Sequence, residues 1–126
     1  MSLLLDTHTF LWWVTDDKKL SPRARKAISS KACAVSMASA WEMSIKIGLG
    51  KLRLDRPAAR FFEDEALANH FAILPIQLRH LTELESLPFH HGDPIDRMLI
   101  AQASVERLAL VSKDSLFESY GLKCVW

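Results

Sequence analysis

Several familiar signatures are missing from this sequence, and each absence removes a class of protein. The chain has only two cysteines, Cys33 and Cys124, which form no C-x-x-C pair and lie among apolar neighbours. We therefore expect two buried, reduced thiols rather than a metal or redox motif. The four glycines form neither a phosphate-binding P-loop nor the G-x-S-x-G turn of serine hydrolases. Neither of those enzyme classes is expected.

Long hydrophobic runs are missing as well. Residues 3–5 are too short for the core of a signal peptide, and no basic segment precedes them. No stretch approaches the roughly 20 apolar residues that span a bilayer. We therefore expect a cytoplasmic protein without a membrane partner.

A large excess of one charge is also absent. The formal net charge of +1 gives no preference for or against nucleic acid, because a basic rim and an acidic pocket cancel in the sum. Hydrophobic residues make up 49% of the 126 residues and charged residues 25%, which is typical of a globular protein. Without a linker or a repeat, residues 1–126 are predicted to form a single domain.

Short apolar runs alternate with helical patterns along the chain. Strands are predicted at residues 3–5, 33–35, 73–76, 108–112 and 122–126. Helices are predicted at residues 23–30, 38–49, 57–69, 77–86, from 94 onward, and 115–120. This alternation favours an α/β fold in which a central parallel sheet of four to five strands lies between two layers of helices.

Acidic residues follow the predicted strands or begin the neighbouring helices. Asp6 follows the first strand, and Asp114 follows the strand at residues 108–112. Glu42 and Asp96 lie early in two of the predicted helices. Because the carboxyl ends of parallel strands share one edge of a sheet, we expect these acids to meet there.

Most of these acids also have a purely structural interpretation. Ser39 and Glu42 fit a capping box, and Glu42 pairs with Lys46 at i,i+4 spacing. Asp96 would stabilise the positive end of its helix, while Asp93 and Asp114 would act as helix N-caps. Asp6 has no such alternative in the pattern, and it favours a functional site.

Four carboxylates gathered at one edge would repel one another and raise one another's pKa values. Such a cluster predicts a cation, and oxygen ligands without Cys or His favour Mg²⁺ or Mn²⁺. The chemistry that fits is metal-assisted hydrolysis of a phosphodiester. No second Asp follows Asp6 two residues later, so the sequence is not that of a phosphoaspartate phosphatase.

At this level the sequence resembles PIN-domain ribonucleases, in particular the VapC-type toxins of bacterial toxin–antitoxin pairs. The resemblance covers almost the whole chain. It lies in four motifs in the same order, namely Leu5-Asp6-Thr7-His8 with Leu11-Trp12-Trp13, residues 36–46 with Trp41-Glu42, residues 91–101 with Asp93-Pro94-Ile95-Asp96-Arg97, and Leu110-Val111-Ser112-Lys113-Asp114 with Phe117.

The resemblance implies a PIN-like fold in which Asp6, Glu42, Asp96 and Asp114 gather around Mg²⁺ or Mn²⁺. It also implies an RNA substrate, a cognate antitoxin and a homodimer. Further roles follow for neighbouring residues. Ser112 would hold a metal-bound water, and Lys113 would contact an RNA phosphate. Asp93 is expected to be a helix N-cap in the first place and an additional acid only in the second. Further candidates for phosphate contact are Arg97, which we rank first, Lys46 and Lys51.

Three other readings remain open from the sequence. Two of them keep the same fold: a catalytically silent protein-binding module, and a nuclease that acts on DNA. A receiver-like regulatory domain would also have an acidic pocket, but its adjacent acid pair after the first strand is missing. Trp12 and Trp13 fit either a protein interface or internal packing.

Overall fold

The computed structural model of the protein describes residues 2–126. The strands are β1 (Leu3–Leu5), β2 (Cys33–Ser36), β3 (Ala72–Leu74), β4 (Ala109–Val111) and β5 (Cys124–Val125). The helices are α1 (Thr7–Val14), α2 (Pro22–Ser30), α3 (Met37–Gly48), α4 (Ala58–Ala68), α5 (Leu78–Ser86) and α6 (Pro94–Glu106), and a 3₁₀-helix spans Ser115–Tyr120. Within the described part of the chain, no helix has the length and apolar character needed to cross a membrane.

All five strands form one parallel sheet in the order β3-β2-β1-β4-β5. The central strand β1 aligns Leu4 with Ala34 on one side and with Leu110 on the other. The predicted fold class, a three-layer α/β/α sandwich, is confirmed. Because β1 is flanked by β2 and β4, the carboxyl ends of these three strands lie side by side.

The two faces of the sheet are covered by different helices. Leu3 and Leu5 point into a core that contains Phe10 of α1 and Phe62 of α4. Leu4 points to the opposite face and packs with residues of α6 such as Leu99. This alternation is the two-residue period of a strand, and it explains why β1 is apolar at every position.

Helix α6 is buried on nearly all sides, as its sequence predicts. Its buried positions include Met98, Leu99, Ile100 and Ala101. It begins with the predicted N-cap, since the Asp93 carboxylate accepts a hydrogen bond from the Asp96 amide at 2.9 Å. A helix so enclosed fixes the direction of the side chains in its first turn, which include Asp96.

Helix α1 was not among the predicted elements. Its sequence, Thr-His-Thr-Phe-Leu-Trp-Trp-Val, consists mainly of β-branched and aromatic residues of modest helix propensity. Tertiary contacts stabilise it instead, because Phe10 is fully buried and the Thr9 hydroxyl donates to the carbonyl of Val111. Packing therefore overrides local propensity here.

Smaller differences concern caps and ends. Ser36, rather than Ser39, caps α3, and the Ser39 hydroxyl instead accepts a hydrogen bond from Thr7, so the predicted capping box with Glu42 is wrong. The last predicted strand is only two residues long. Cys33 is buried as expected, whereas Cys124 is only half-buried, and both are free thiols.

Candidate active site

Asp6 lies between the end of β1 and the start of α1 and is buried. One carboxylate oxygen accepts a hydrogen bond from the Thr9 amide at 2.9 Å, which makes Asp6 the N-cap of α1. The other oxygen accepts a hydrogen bond from the Ser112 hydroxyl at 2.5 Å. Asp6 therefore has a structural role that the sequence analysis did not recognise, because α1 itself was not predicted.

Ser112 links the ends of β1 and β4. Its hydroxyl donates to Asp6 and accepts a hydrogen bond from the Asp114 amide at 3.0 Å. Asp114 in turn caps the 3₁₀-helix by accepting a hydrogen bond from the Leu116 amide at 2.9 Å. The hydroxyl thus fixes the positions of two of the predicted acids, while its predicted contact with a metal-bound water stays a prediction.

Asp96 carries the most perturbed pKa of the acids. It is the third residue of α6, and its side chain is only 25% exposed. Burial, and next the charge of Asp93, raise the pKa of Asp96 to about 7; His91 lowers this pKa, and the charges of Glu42 and Asp6 add smaller increases. The carboxylates predicted from separate parts of the sequence are therefore close enough to act on one another.

Glu42 lies on α3 and forms an ion pair with Lys46 at 3.5 Å, as predicted. Among residues 2–126, no Lys or Arg forms an ion pair with Asp6, Asp96 or Asp114. The Lys and Arg side chains of the described residues therefore do not balance the charge of these three acids by direct ion pairs. A divalent cation would supply the balancing charge.

His91 completes the group, although it was not predicted as a site residue. Its Nε2 atom lies 2.9 Å from Asp114 Oδ2 and 3.2 Å from Asp96 Oδ2. Candidate ligand atoms of His91, Asp96 and Asp114 all lie within 4.8 Å of one another, whereas Asp6 and Glu42 stand outside this tight group. In the sequence, His91 begins the motif at residues 91–101, but no role was predicted for it.

Arg97 is placed differently from its prediction. It is buried, and its guanidinium donates hydrogen bonds to the carbonyls of Leu87, Pro88 and His91. It also stacks over Phe89 at 4.1 Å from the ring centre. In this conformation Arg97 holds the segment between α5 and α6 and does not present its charge to a phosphate.

A depression of about 250 Å³ opens beside the acids and is lined by Asp6, His8, Trp12, Lys113 and Asp114. Lys113 is exposed at this rim. A second depression shares His8 and Trp12 and is bordered by the basic residues Lys46, Lys51 and Arg53. An acidic centre is thus flanked by basic and aromatic side chains.

The two adjacent tryptophans have separate environments. Trp13 donates its indole hydrogen to Asn69 at 3.0 Å and packs near Phe71, which is internal packing. Trp12 contacts Trp126 and stacks on His8 beside the depression. Only Trp12 is therefore placed to meet a ligand at the site.

Comparison with known proteins agrees with this geometry. The sequence matches the PIN domain family over residues 3–123. The chain belongs to this family. PIN domains are generally nucleases, and they typically bind a divalent metal through acidic residues. No curated protein sequence gives a significant match.

Solved structures of PIN proteins share the fold of this chain at low sequence identity. The VapBC2 structure from Rickettsia felis, bound to a promoter DNA fragment, matches with 12% identity and a TM-score of 0.70, covering 98% of this chain and 97% of that one. FitAcB from Neisseria gonorrhoeae matches with 15% identity, a TM-score of 0.61 and coverage of 97% and 95%. VapBC-1 from nontypeable Haemophilus influenzae matches with 13% identity, a TM-score of 0.62 and coverage of 98% and 96%.

Proposed function

We propose that this PIN protein is an endoribonuclease toxin that hydrolyses RNA phosphodiester bonds with Mg²⁺ or Mn²⁺ and is held inactive by a cognate antitoxin. The observation that carries the proposal is the unbalanced charge of Asp6, Asp96 and Asp114 at the carboxyl edge of the sheet. Neighbouring structures that are toxin–antitoxin complexes support an antitoxin partner. We place the protein in the cytoplasm on the same grounds.

The donor set fits a hard divalent cation. The proposed ligands are Asp6, Asp96, Asp114 and Glu42, all of which offer carboxylate oxygens. The pKa of Asp96 is raised first by burial and then by neighbouring carboxylates, so a bound cation would favour its charged form. When bound, the cation would lower the pKa of a water molecule and neutralise charge on phosphate oxygens.

The protein's own residues set the geometry of this chemistry. The Thr9 amide and the Ser112 hydroxyl hold both oxygens of Asp6, so its carboxylate cannot rotate freely. Asp96 is fixed by its place in the first turn of the enclosed helix α6. Preorganised ligands of this kind avoid the cost of reorganisation during the reaction.

RNA is the substrate that the surroundings of the acids fit best. Lys113 lies at the rim of the first depression, and Lys46 and Lys51 border the second. These side chains would contact phosphates, while the stacked rings of the exposed His8 and the half-buried Trp12 would offer a ring face to an unpaired base. Arg97 is withdrawn from this role because its guanidinium is bound to backbone carbonyls.

Cleavage of a mixed pool of structured RNA by purified, antitoxin-free protein tests the proposal. We expect cleavage with Mg²⁺ or Mn²⁺, none with EDTA, and none by Asp6→Asn, which keeps an oxygen to cap α1. The matched control is Asp16→Asn, because Asp16 is an exposed acid paired with Arg25. DNA of the same sequences, added in parallel, distinguishes a DNA nuclease.

Three results would contradict the proposal. Cleavage that survives Asp6→Asn would point to a contaminating enzyme or to another site. Absence of cleavage by a folded, antitoxin-free protein would favour a silent binding module. Cleavage of DNA in preference to RNA would replace the substrate class.

The homodimer implied by the family resemblance stays a prediction. Helix α3 exposes Met37, Trp41 and Ile45, and the next residue at the same four-residue spacing is its exposed C-cap Leu49. We expect light scattering to give twice the 14.3 kDa chain mass, and Trp41→Glu to shift the protein towards the monomer if α3 forms the interface. A monomeric wild-type protein would contradict the prediction.

A further inference from the structure

His91 lies among the acids in a tightly held position. Its ring stacks on Phe117 with a centroid separation of 5.8 Å, and its backbone amide donates to the Tyr120 hydroxyl at 2.8 Å. Its carbonyl accepts a hydrogen bond from Arg97. Three neighbours thus hold a residue whose side chain reaches two of the proposed metal ligands.

The hydrogen bonds of the ring define which nitrogen carries the proton. The Asp93 amide donates to Nδ1 at 3.2 Å, so Nδ1 presents its lone pair to that amide. In the neutral ring the hydrogen then belongs to Nε2, which is the usual consequence of a hydrogen bond at the other nitrogen. Nε2 therefore donates to Asp114 at 2.9 Å and faces Asp96 at 3.2 Å.

This arrangement is unsuited to a metal ligand. A metal bound at Nε2 would need the lone pair of that nitrogen, and the hydrogen would have to move to Nδ1, against the Asp93 amide. At the same time, the Nε2–H group lies against Asp114 Oδ2 and Asp96 Oδ2, the oxygens that would hold a cation at these two acids. His91 and the cation therefore require the same carboxylate oxygens.

We propose that His91 is a positioning residue that bridges Asp96 and Asp114 in the cation-free protein and is displaced from them when the divalent cation binds. The inference rests on the proposed function, because it presupposes a cation site at these acids. Its consequence is that His91 lowers the cation affinity while it keeps the two carboxylates together. Removing the Nε2 donor therefore strengthens cation binding.

The variant His91→Asn tests this directly. The Asn oxygen can still accept from the Asp93 amide, but the shorter side chain does not reach Asp96 and Asp114. We expect the dissociation constant for Mn²⁺, measured by electron paramagnetic resonance at pH 8, to fall about tenfold, as for the loss of one hydrogen bond to a charged group. The matched control is His90→Asn, since the exposed His90 contacts Tyr120 and none of the acids. This control should remain within about twofold of wild type.

Weaker Mn²⁺ binding by His91→Asn would identify His91 as a ligand and overturn the proposal, and an unchanged constant would overturn it too. A wild-type protein that binds no Mn²⁺, or an Asp96→Asn variant that binds it normally, would instead contradict the proposed function. The two failures are thus distinguishable.

A second measurement on the wild-type chain does not depend on whether the variant folds. Two-bond ¹H–¹⁵N correlation spectra distinguish the two tautomers of each histidine. We expect the Nε2–H form of His91 without metal, and a shift of its Nε2 signal with Mg²⁺ while the ring stays in that form. A change of His91 to the Nδ1–H form on adding Mg²⁺ would show direct ligation and overturn the proposal.

Discussion

The two ends of helix α6 carry the same pair of groups in different electrostatic settings. At its start, His91 Nε2 meets Asp96 and Asp114. At its end, His80 Nε2 lies 2.9 Å from Glu106. In both histidines Nδ1 accepts a backbone hydrogen bond, from the Asp93 amide and from the Gln77 amide respectively.

The difference lies in the balance of charge. Glu106 also pairs with Arg79 at 2.7 Å, so this acid at the negative end of the helix dipole has a full positive partner. Among the described residues, neither Asp96 nor Asp114 pairs with a Lys or Arg, and the only ion-pair partner of either is the ring of His91. The contact of His80 with Glu106 is thus completed by an arginine, whereas the contact of His91 with Asp96 and Asp114 leaves carboxylates in excess, as expected for the proposed cation site.

The largest expected effect is on the rate of RNA cleavage, which should depend on the acid at the start of α6 and not on the acid at its end. Asp96→Asn removes a proposed metal ligand, and we expect the rate of RNA cleavage to fall at least about 10³-fold, or about 4 kcal/mol in the barrier. Glu106→Gln should remain within about threefold of wild type, because Glu106 is remote from the reaction. Single-turnover kinetics at saturating Mg²⁺ measures both. Equal losses of cleavage rate in the two variants would contradict the difference between the two ends of α6.

Cation-dependent stability is the next effect in size. At a Mn²⁺ concentration of 100 times the dissociation constant, we expect the free energy of unfolding to rise by about 2.7 kcal/mol. Glu106→Gln should keep this increase, and Asp96→Asn should lose most of it. Urea unfolding with and without Mn²⁺ provides the measurement, and a similar increase in both variants would place the cation elsewhere.

Without a cation, the two substitutions should change stability in opposite directions. Glu106→Gln leaves Arg79 and buried His80 with a weaker acceptor, which should cost about 1–2 kcal/mol. Asp96→Asn removes a carboxylate whose pKa is raised to about 7, and should stabilise the protein by about 1–3 kcal/mol at pH 8. Urea unfolding in EDTA at pH 8 measures both changes, and two losses of equal size would contradict the distinction.

The pH dependence follows from the same pKa. Between the ordinary Asp pKa of 3.8 and about 7, the folded protein holds a proton on Asp96 that the unfolded chain has released. Stability of the cation-free wild type should therefore fall as pH rises through this range and level off above it. The advantage of Asp96→Asn should accordingly disappear towards pH 4. If the difference in free energy of unfolding between Asp96→Asn and wild type were constant from pH 4 to pH 8, another group would be responsible for the pH dependence.

The smallest expected effect concerns the ion pair between Lys46 and Glu42 beside the acidic cluster. Lys46 pairs with Glu42 at 3.5 Å, and its side chain is 30% exposed. Lys46→Met should change the free energy of unfolding by less than about 0.5 kcal/mol, as for most i,i+4 pairs. Thermal unfolding in EDTA is sufficient to test this. A larger loss would mean that Lys46 balances more of the acidic cluster than its contact with Glu42.

The sequence predicted the strands and most helices because their apolar periods were regular. It also indicated that acids would gather at one edge of the sheet, since Asp6 directly follows β1 and Asp114 lies three residues after β4. It did not predict α1, because the residues there favour a helix only weakly, and the N-cap role of Asp6 was missed with it. Helix α1 forms because Phe10 fills the core and Thr9 bonds to the end of β4.

Arg97 and His91 show where the sequence was insufficient. A basic residue beside a catalytic motif suggested a phosphate contact, yet Arg97 is turned inward by three backbone carbonyls of the segment before α6. That same segment brings His91 to the acids, although no spacing rule links a histidine in a loop with Asp114. Such contacts depend on how the loop folds back.

The sequence by itself therefore determined the layer architecture and the set of acids at one edge of the sheet. These follow from hydrophobic period and from the geometry of parallel strands, which are local properties of the chain. Only the tertiary structure decided three things. It determined which acids lie closest to one another, it turned the Arg97 guanidinium away from the site, and it placed His91 between Asp96 and Asp114. Those outcomes depend on distances between segments far apart in sequence, and charge acts through distance in space.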